Sequence, residues 1–129
     1  MANQILLATG AKVNGPPASI KKGVKVLSTY LSQKFGLHDV SLSEGSGISR
    51  NNRITPLAFL KILSEFKPYH CLMKKRGNEY YKTGTLNGIN TRVGYLVSSQ
   101  GSLFPFVVFI NTRGKRTERV IEQLKKLIY

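Results

Sequence analysis

The stretch from Glu79 to Asn111 constrains the fold more than any other part of the chain. Glu79 to Leu86 reads as a strand, and Asn87-Gly88 is a two-residue hairpin signal. Arg92 to Ser98 reads as a second strand and Gln100-Gly101 as another turn. Leu103 to Asn111 is a third strand and the most apolar of them. Pro105 lies near the start of that strand, where a missing ladder donor does least harm. Runs joined by turns this short can pair only antiparallel. A three-strand meander is therefore predicted.

The flanking segments carry a helical period instead. Residues 2–9 read as the end of a helix closed by Gly10, followed by a Gly15-Pro16-Pro17 loop. Ser19 caps a helix with Ile20, Val24, Leu27 and Leu31 on one face, and Gly36 closes it. Residues 40–54 are rich in Ser, Gly and Asn, carry no period and form a loop. Thr55-Pro56 starts a helix bearing Leu57, Phe59, Leu60, Ile62, Leu63 and Phe66, which Pro68 stops. Thr117 caps a last helix with Val120, Ile121, Leu124, Leu127 and Ile128 on one face. Helices, a meander and a helix lying on the sheet make one α+β domain over residues 1–129.

Composition narrows the function. Twenty basic residues against six acidic ones give a net charge of +14, which raises the question of an anionic partner. The cations are scattered from Lys12 to Lys126, densest at Lys74-Lys75-Arg76 and at Arg113, Lys115, Arg116 and Arg119. No RNA-binding, zinc-finger or arginine-rich pattern accompanies them, so specific nucleic-acid binding is not expected. A basic surface facing an anionic polymer such as a cell wall fits better. Single Cys71 excludes an internal disulfide, and His38 and His70 alone make no metal cluster, so no metal or cofactor is expected. The start, Met1 to Ala8, has no basic region ahead of its short apolar patch and does not read as a signal peptide. No stretch approaches the ~20 apolar residues of a membrane span.

Two short strings carry chemistry. Lys82-Thr83-Gly84-Thr85 ends a strand. There Lys82 projects a compact ammonium, and threonine hydroxyls beside it can bind a carboxylate. Gly84 lets a substrate backbone come close, and the Thr85 N–H can donate to an oxyanion. Taken alone, the string also fits an edge strand with a protective lysine. Ser49-Arg50-Asn51 sits in a Gly-Ser loop just before a helix. Its hydroxyl can shuttle a proton and its amide can fix a substrate carbonyl. Taken alone, it also fits a turn leading into a helix.

Together, in this order, they resemble the Ser-x-Asn and Lys-Thr-Gly motifs of the penicillin-binding serine hydrolases. The wider context, Glu44-Gly-Ser-Gly-Ile-Ser-Arg-Asn-Asn-Arg-Ile-Thr-Pro, resembles the Asp-Gly-Ser-Gly-Leu-Ser-Arg stretch of the S13 peptidases. These are D-alanyl-D-alanine carboxypeptidase/endopeptidases, the class C low-molecular-mass penicillin-binding proteins. Lys82-Thr-Gly-Thr-Leu-Asn-Gly, Arg92-Val-Gly-Tyr-Leu and Phe106-Val-Val-Phe-Ile-Asn resemble their third motif and the strands after it. The likeness reaches Ala2 to Leu6 and Gly15-Pro16-Pro17, and so covers essentially the whole chain as the C-terminal part of a family member.

The resemblance implies the penicillin-binding-protein/β-lactamase transpeptidase-like fold. It implies an acyl-enzyme mechanism on peptidoglycan stem peptides ending in D-Ala-D-Ala, with β-lactams as trapping analogues. A complete member would work in the periplasm or another extracytoplasmic space. Ser49, Asn51 and Lys82 would be catalytic, and Thr83, Gly84 and Thr85 would bind substrate. Spacing within Ser-x-Asn selects Asn51, while the longer Ser-Arg-x-Asn-Arg context favours Asn52.

The same superfamily needs a nucleophilic serine with a lysine one helical turn on. Ser19-Ile20-Lys21-Lys22 satisfies that spacing, but it reads as a helix cap with solvated lysines. In the family likeness this segment falls after the nucleophile, and no strands precede it. The chain is thus expected to be a fragment lacking its nucleophile. Leu103 to Asn111 would then be an open edge, ready to pair with another copy or with a missing N-terminal segment. The rival readings are a non-catalytic remnant that binds peptidoglycan or a partner chain, and a basic nucleic-acid-binding module.

Overall fold

The computed structural model describes residues 1–128 and divides into two compact units, Met1–Ala58 and a second that begins at Phe59. In the first unit, helix α1 (Ala2–Asn14) packs along helix α2 (Ile20–Phe35). Gly10 does not close α1. The helix runs on to Asn14 and stops at Gly15, whose φ of 73° suits glycine. Gly10 has a packing role instead. A Cβ there would lie 2.5 Å from the Gly23 nitrogen, and one on Gly23 would lie 2.3 Å from the Leu6 carbonyl oxygen. The two backbones touch because neither glycine has a side chain. Ser19 caps α2 by accepting the Lys22 N–H at 3.2 Å, and Gly36 in the left-handed region closes it.

Helix α3 (Pro56–Phe66) begins at Thr55, whose hydroxyl accepts the Ala58 N–H at 3.1 Å. Leu57, read as part of its apolar face, is exposed. Pro68 does not end the helical path at once, because a 3₁₀ stretch covers Lys67–Leu72. An antiparallel sheet follows, in the order β1 (Lys74–Arg76), β2 (Glu79–Leu86), β3 (Ile89–Val97) and β4 (Leu103–Ile110). The meander gains β1 as a short fourth strand, for which the charged Lys-Lys-Arg run gives no apolar alternation. β3 begins at Ile89 rather than Arg92, since Asn87-Gly88 is the whole of the turn. Outside its pairing with β3, β4 has no partner strand among the described residues.

Each sheet face buries its own cluster. Tyr95, Val93 and Tyr80 pack with Leu63, Phe59 and Phe66 of α3. Tyr95 is fully buried, and its hydroxyl donates to the Leu63 carbonyl. Burial pushes that phenol's pKa up, so it remains a donor. On the other face, Leu96, Phe106 and Tyr81 pack with Ile121, Leu124 and Ile128 of α4 (Glu118–Ile128). Val120 and Leu127, predicted for the same stripe, are exposed.

A buried ion cluster joins β2, β3 and α4. Glu79 is fully buried and accepts from Arg92 Nε at 2.6 Å and Nη2 at 2.9 Å, with Lys125 Nζ at 3.1 Å. The Arg92 guanidinium also lies 4.2 Å from the Tyr81 ring centroid. Removing one partner of such a pair strands the other in a dry environment. Glu79→Ala should therefore cost about 3 kcal/mol or more in chemical denaturation, and Glu79→Leu with Arg92→Met should recover most of it. A loss below about 1 kcal/mol for Glu79→Ala would remove the cluster from the stability argument. In the first unit, alanine in a helix normally gains about 1 kcal/mol over glycine. Gly23→Ala should instead destabilise, by about 1–2 kcal/mol, because the new methyl overlaps the Leu6 backbone.

Candidate active site

In the first unit, the loop that carries Ser49 is built around one carboxylate. Glu44 Oε1 accepts from the Gly47 N–H at 2.9 Å, the Ser49 N–H at 3.2 Å and Asn52 Nδ2 at 2.6 Å. Its Oε2 accepts from the Ser46 N–H at 2.6 Å and from the Ser46 hydroxyl. Successive amides turn inward on the anion because the Ser-Gly-rich chain has little side-chain bulk to prevent it. Donation from the Ser46 hydroxyl, with the amides of Ser49 and Ser46 and the Asn52 side chain, lowers the Glu44 pKa to about 2 against a smaller opposing effect of burial.

Ser49 then opens a turn. Its carbonyl accepts the Asn52 N–H at 3.2 Å, and its hydroxyl accepts the Asn51 N–H at 3.2 Å. The two asparagines differ in kind. Asn52 Oδ1 accepts from Ser43 N–H at 2.8 Å and Ser43 Oγ at 3.2 Å, while its Nδ2 holds Glu44. Its amide is thus spent on the loop. Asn51 is exposed. Glu44 was not singled out by sequence reasoning, although a lone acid in a Gly-Ser run beside a candidate serine was its signal.

In the second unit, Lys82, Thr83, Gly84 and Thr85 lie on β2 beyond the reach of β1, which pairs only with Glu79, Tyr80 and Tyr81. All four are exposed. The turn closes on the pair Leu86–Ile89, so ladder bonds fall on Gly84–Thr91 and Lys82–Val93 but not on Thr83–Arg92 or Thr85–Asn90. The Val97 N–H bond to the Asn78 carbonyl, at 2.8 Å, keeps the same phase. The N–H and C=O groups of Thr83 and Thr85 therefore point away from β3, toward the side where no strand lies among the described residues. Lys82 Nζ donates to that outward Thr83 carbonyl at 3.2 Å.

Alternation decides which side chains meet. Lys82 shares the face of Tyr80 and α3, whereas Thr83 and Thr85 share the face of Tyr81, Arg92 and α4. The ammonium and the two hydroxyls flank one open edge from its two sides. A Cβ on Gly84 would sit 2.7 Å from Thr91 Oγ1, so this position is kept narrow. A cavity of about 640 Å³ on the α4 side is lined by residues that include Glu79, Arg92, Glu118 and Lys125, and none of the motif residues belongs to it.

Ser19 and Lys22 are both engaged in local hydrogen bonds. The Ser19 hydroxyl caps α2, and Lys22 Nζ donates to the Gly15 carbonyl at 2.7 Å and the Pro17 carbonyl at 2.9 Å. Among the described residues, no group of acidic, His or Cys side chains is placed to hold a metal ion, and no helix is long and apolar enough to cross a membrane.

The sequence and the fold are both similar to those of known proteins. The model of the D-Ala-D-Ala carboxypeptidase 3 (S13) family matches residues 1–75, which include Ser49 and Asn51 but not Lys82. The D-alanyl-D-alanine carboxypeptidase DacB of Haemophilus influenzae is 26% identical over 86% of this chain, which spans 28% of that relative's length. The crystal structure of penicillin-binding protein 4 from the same organism, complexed with a β-lactam, superposes with a TM-score of 0.80. It is 19% identical and covers 98% of this chain and 37% of its own. A second crystal structure of that protein gives 0.78 at 21% identity. The fold shared is thus that of a penicillin-binding protein.

The Glu44 loop has a defined acid limit. A pKa lowered from 4.5 to about 2 on folding means its stabilisation is complete above 4.5 and is lost as pH falls through 2. The amide signals of Ser46, Gly47 and Ser49 should hold their positions from neutral pH to below 4 and collapse near 2. In Glu44→Gln that acid step should be absent.

Proposed function

Because this chain belongs to the D-Ala-D-Ala carboxypeptidase 3 (S13) family, we propose that it carries substrate-handling motifs of a serine-type D-Ala-D-Ala carboxypeptidase. The substrate class is a peptidoglycan stem peptide ending in D-Ala-D-Ala, with β-lactams as its analogues. An extracytoplasmic location, where that polymer lies, belongs to the same proposal. The observation that carries it is the open edge of β2, where Lys-Thr-Gly-Thr presents outward backbone groups between an ammonium and two hydroxyls.

An extended peptide can add to such an edge through main-chain hydrogen bonds. Its terminal carboxylate would be taken by the hydroxyls of Thr83 and Thr85 with Lys82 supplying charge, and Gly84 leaves room for the approach. The Thr85 N–H would donate to the oxyanion of an acyl-transfer step. Ser49 would relay a proton to the leaving amine, and Asn51, whose neighbour Asn52 is committed to Glu44, would orient the peptide. In the complete reaction a serine oxygen attacks the penultimate carbonyl, terminal D-Ala leaves with a proton, and water hydrolyses the resulting ester.

The bonding of Ser19 and Lys22 favours a second reading, in which this chain binds such peptides without acylating them. A fluorescent penicillin separates the two: labelling that appears once an N-terminal half with a Ser-x-x-Lys segment is supplied supports the first, and no labelling in that mixture supports the second. The chain by itself should take up no covalent label, and a label lost in Ser19→Ala would restore Ser19 as the nucleophile. Reversible binding of an acetylated peptide ending in D-Ala-D-Ala should weaken roughly tenfold in Thr85→Val, as expected for one charge-assisted hydrogen bond. Salt-sensitive DNA binding with no response to peptide or β-lactam would favour the basic module instead.

A further inference from the structure

The loop between β4 and α4, residues 111–117, is tied at both ends to the part of the sheet that carries Thr85. Ile110 pairs with Asn90, and Asn90 pairs with Thr85, so the loop starts two strand spacings away, roughly 10 Å. It ends at Thr117, which is 1% exposed and donates its N–H to Asn90 Oδ1 at 3.1 Å. Asn90 projects on the α4 face, as do Thr83 and Thr85. Between these anchors, a turn closed by the Lys115 N–H on the Thr112 carbonyl, with Gly114 at φ 77°, holds out Arg113, Lys115 and Arg116, all exposed. The sequence has no acidic residue from Tyr80 to Thr117. Glu79 is occupied by Arg92 and Lys125, and Glu118 lines the cavity beside them.

We propose that this loop is a cationic collar that selects peptides with a free terminal carboxylate over peptides blocked or extended at that end. The inference rests on the reading of β2 as the peptide edge. The loop that carries the three charges starts roughly 10 Å from Thr85, beyond the ~8 Å Debye length of physiological salt but well inside the ~30 Å of 0.01 M buffer, so their field reaches the edge chiefly in dilute buffer. The loop returns at Thr117 to the face that carries the hydroxyls that would take the carboxylate. A neutral terminus gains nothing from the three charges. The collar therefore favours release of a residue that carries a free carboxylate over cleavage ahead of a residue whose carboxyl is amidated or extended.

The test compares the unsubstituted chain with the triple variant Arg113→Gln, Lys115→Gln, Arg116→Gln, and with Thr85→Val. The probes are an acetylated peptide ending in D-Ala-D-Ala and its C-terminal amide, titrated by NMR at low and at physiological salt. Backbone spectra confirm that each variant is folded. The triple variant should bind the acid at least about fivefold more weakly at low salt, with the gap closing as salt rises, and bind the amide unchanged. Equal weakening of acid and amide, or no weakening while Thr85→Val loses the acid, overturns the collar and leaves the β2 reading standing. Failure of the unsubstituted chain to bind either peptide overturns both. Duplex DNA bound by the unsubstituted chain and released in the triple variant, without acid-over-amide preference, overturns the collar in favour of a general polyanion surface.

Discussion

Everything proposed for the second unit depends on the register of β2 against β3. One residue of slip would turn Thr83 and Thr85 to the α3 face and put Lys82 on the α4 face. Three features oppose that slip. Asn87-Gly88 favours the two-residue turn that joins the strands. Gly94 allows β2 to pass where a Cβ would fall 1.9 Å from the Tyr80 carbonyl oxygen. Glu79 and Arg92 meet in a buried pair only when both strands show them to α4. A turn, a steric gap and an ion pair thus specify the same alignment.

The first unit shows the same economy with different chemistry. Its loop has no core to fold around, so the Glu44 carboxylate gathers amides, a hydroxyl and the Asn52 side chain. Ser49 receives its place from backbone bonds, not from packing. That leaves its hydroxyl within a turn whose neighbours on either side are exposed.

Much of this was legible from residue types. Strands around Asn87-Gly88 and Gln100-Gly101, the caps at Ser19 and Thr55, the helix start after Thr117 and the helix stop at Gly36 follow from local rules. The misses were places where tertiary contact decides. Gly10 resembles a helix stop but serves the α1–α2 contact, which no local pattern encodes. Lys74–Arg76 becomes a strand only because β2 offers it an edge. In the candidate site, the choice between Asn51 and Asn52 turned on spacing that the sequence left open. The structure adds that the Asn52 amide already holds Ser43 and Glu44, while Asn51 is exposed. Val120 and Leu127 fit the apolar period of α4, yet the sheet is wide enough to cover only Ile121, Leu124 and Ile128.

The bare outer side of β4 has a colloidal consequence. Leu103–Ile110 is mostly apolar, with no charge and one proline to interrupt it, so its own residues do little to discourage a second strand from docking. What protects it is remote: a net charge of +14 makes copies repel before their edges can meet. In this sense charge repulsion, as in a colloid, stands in for the edge protection that the strand's own residues lack, and it weakens as salt rises.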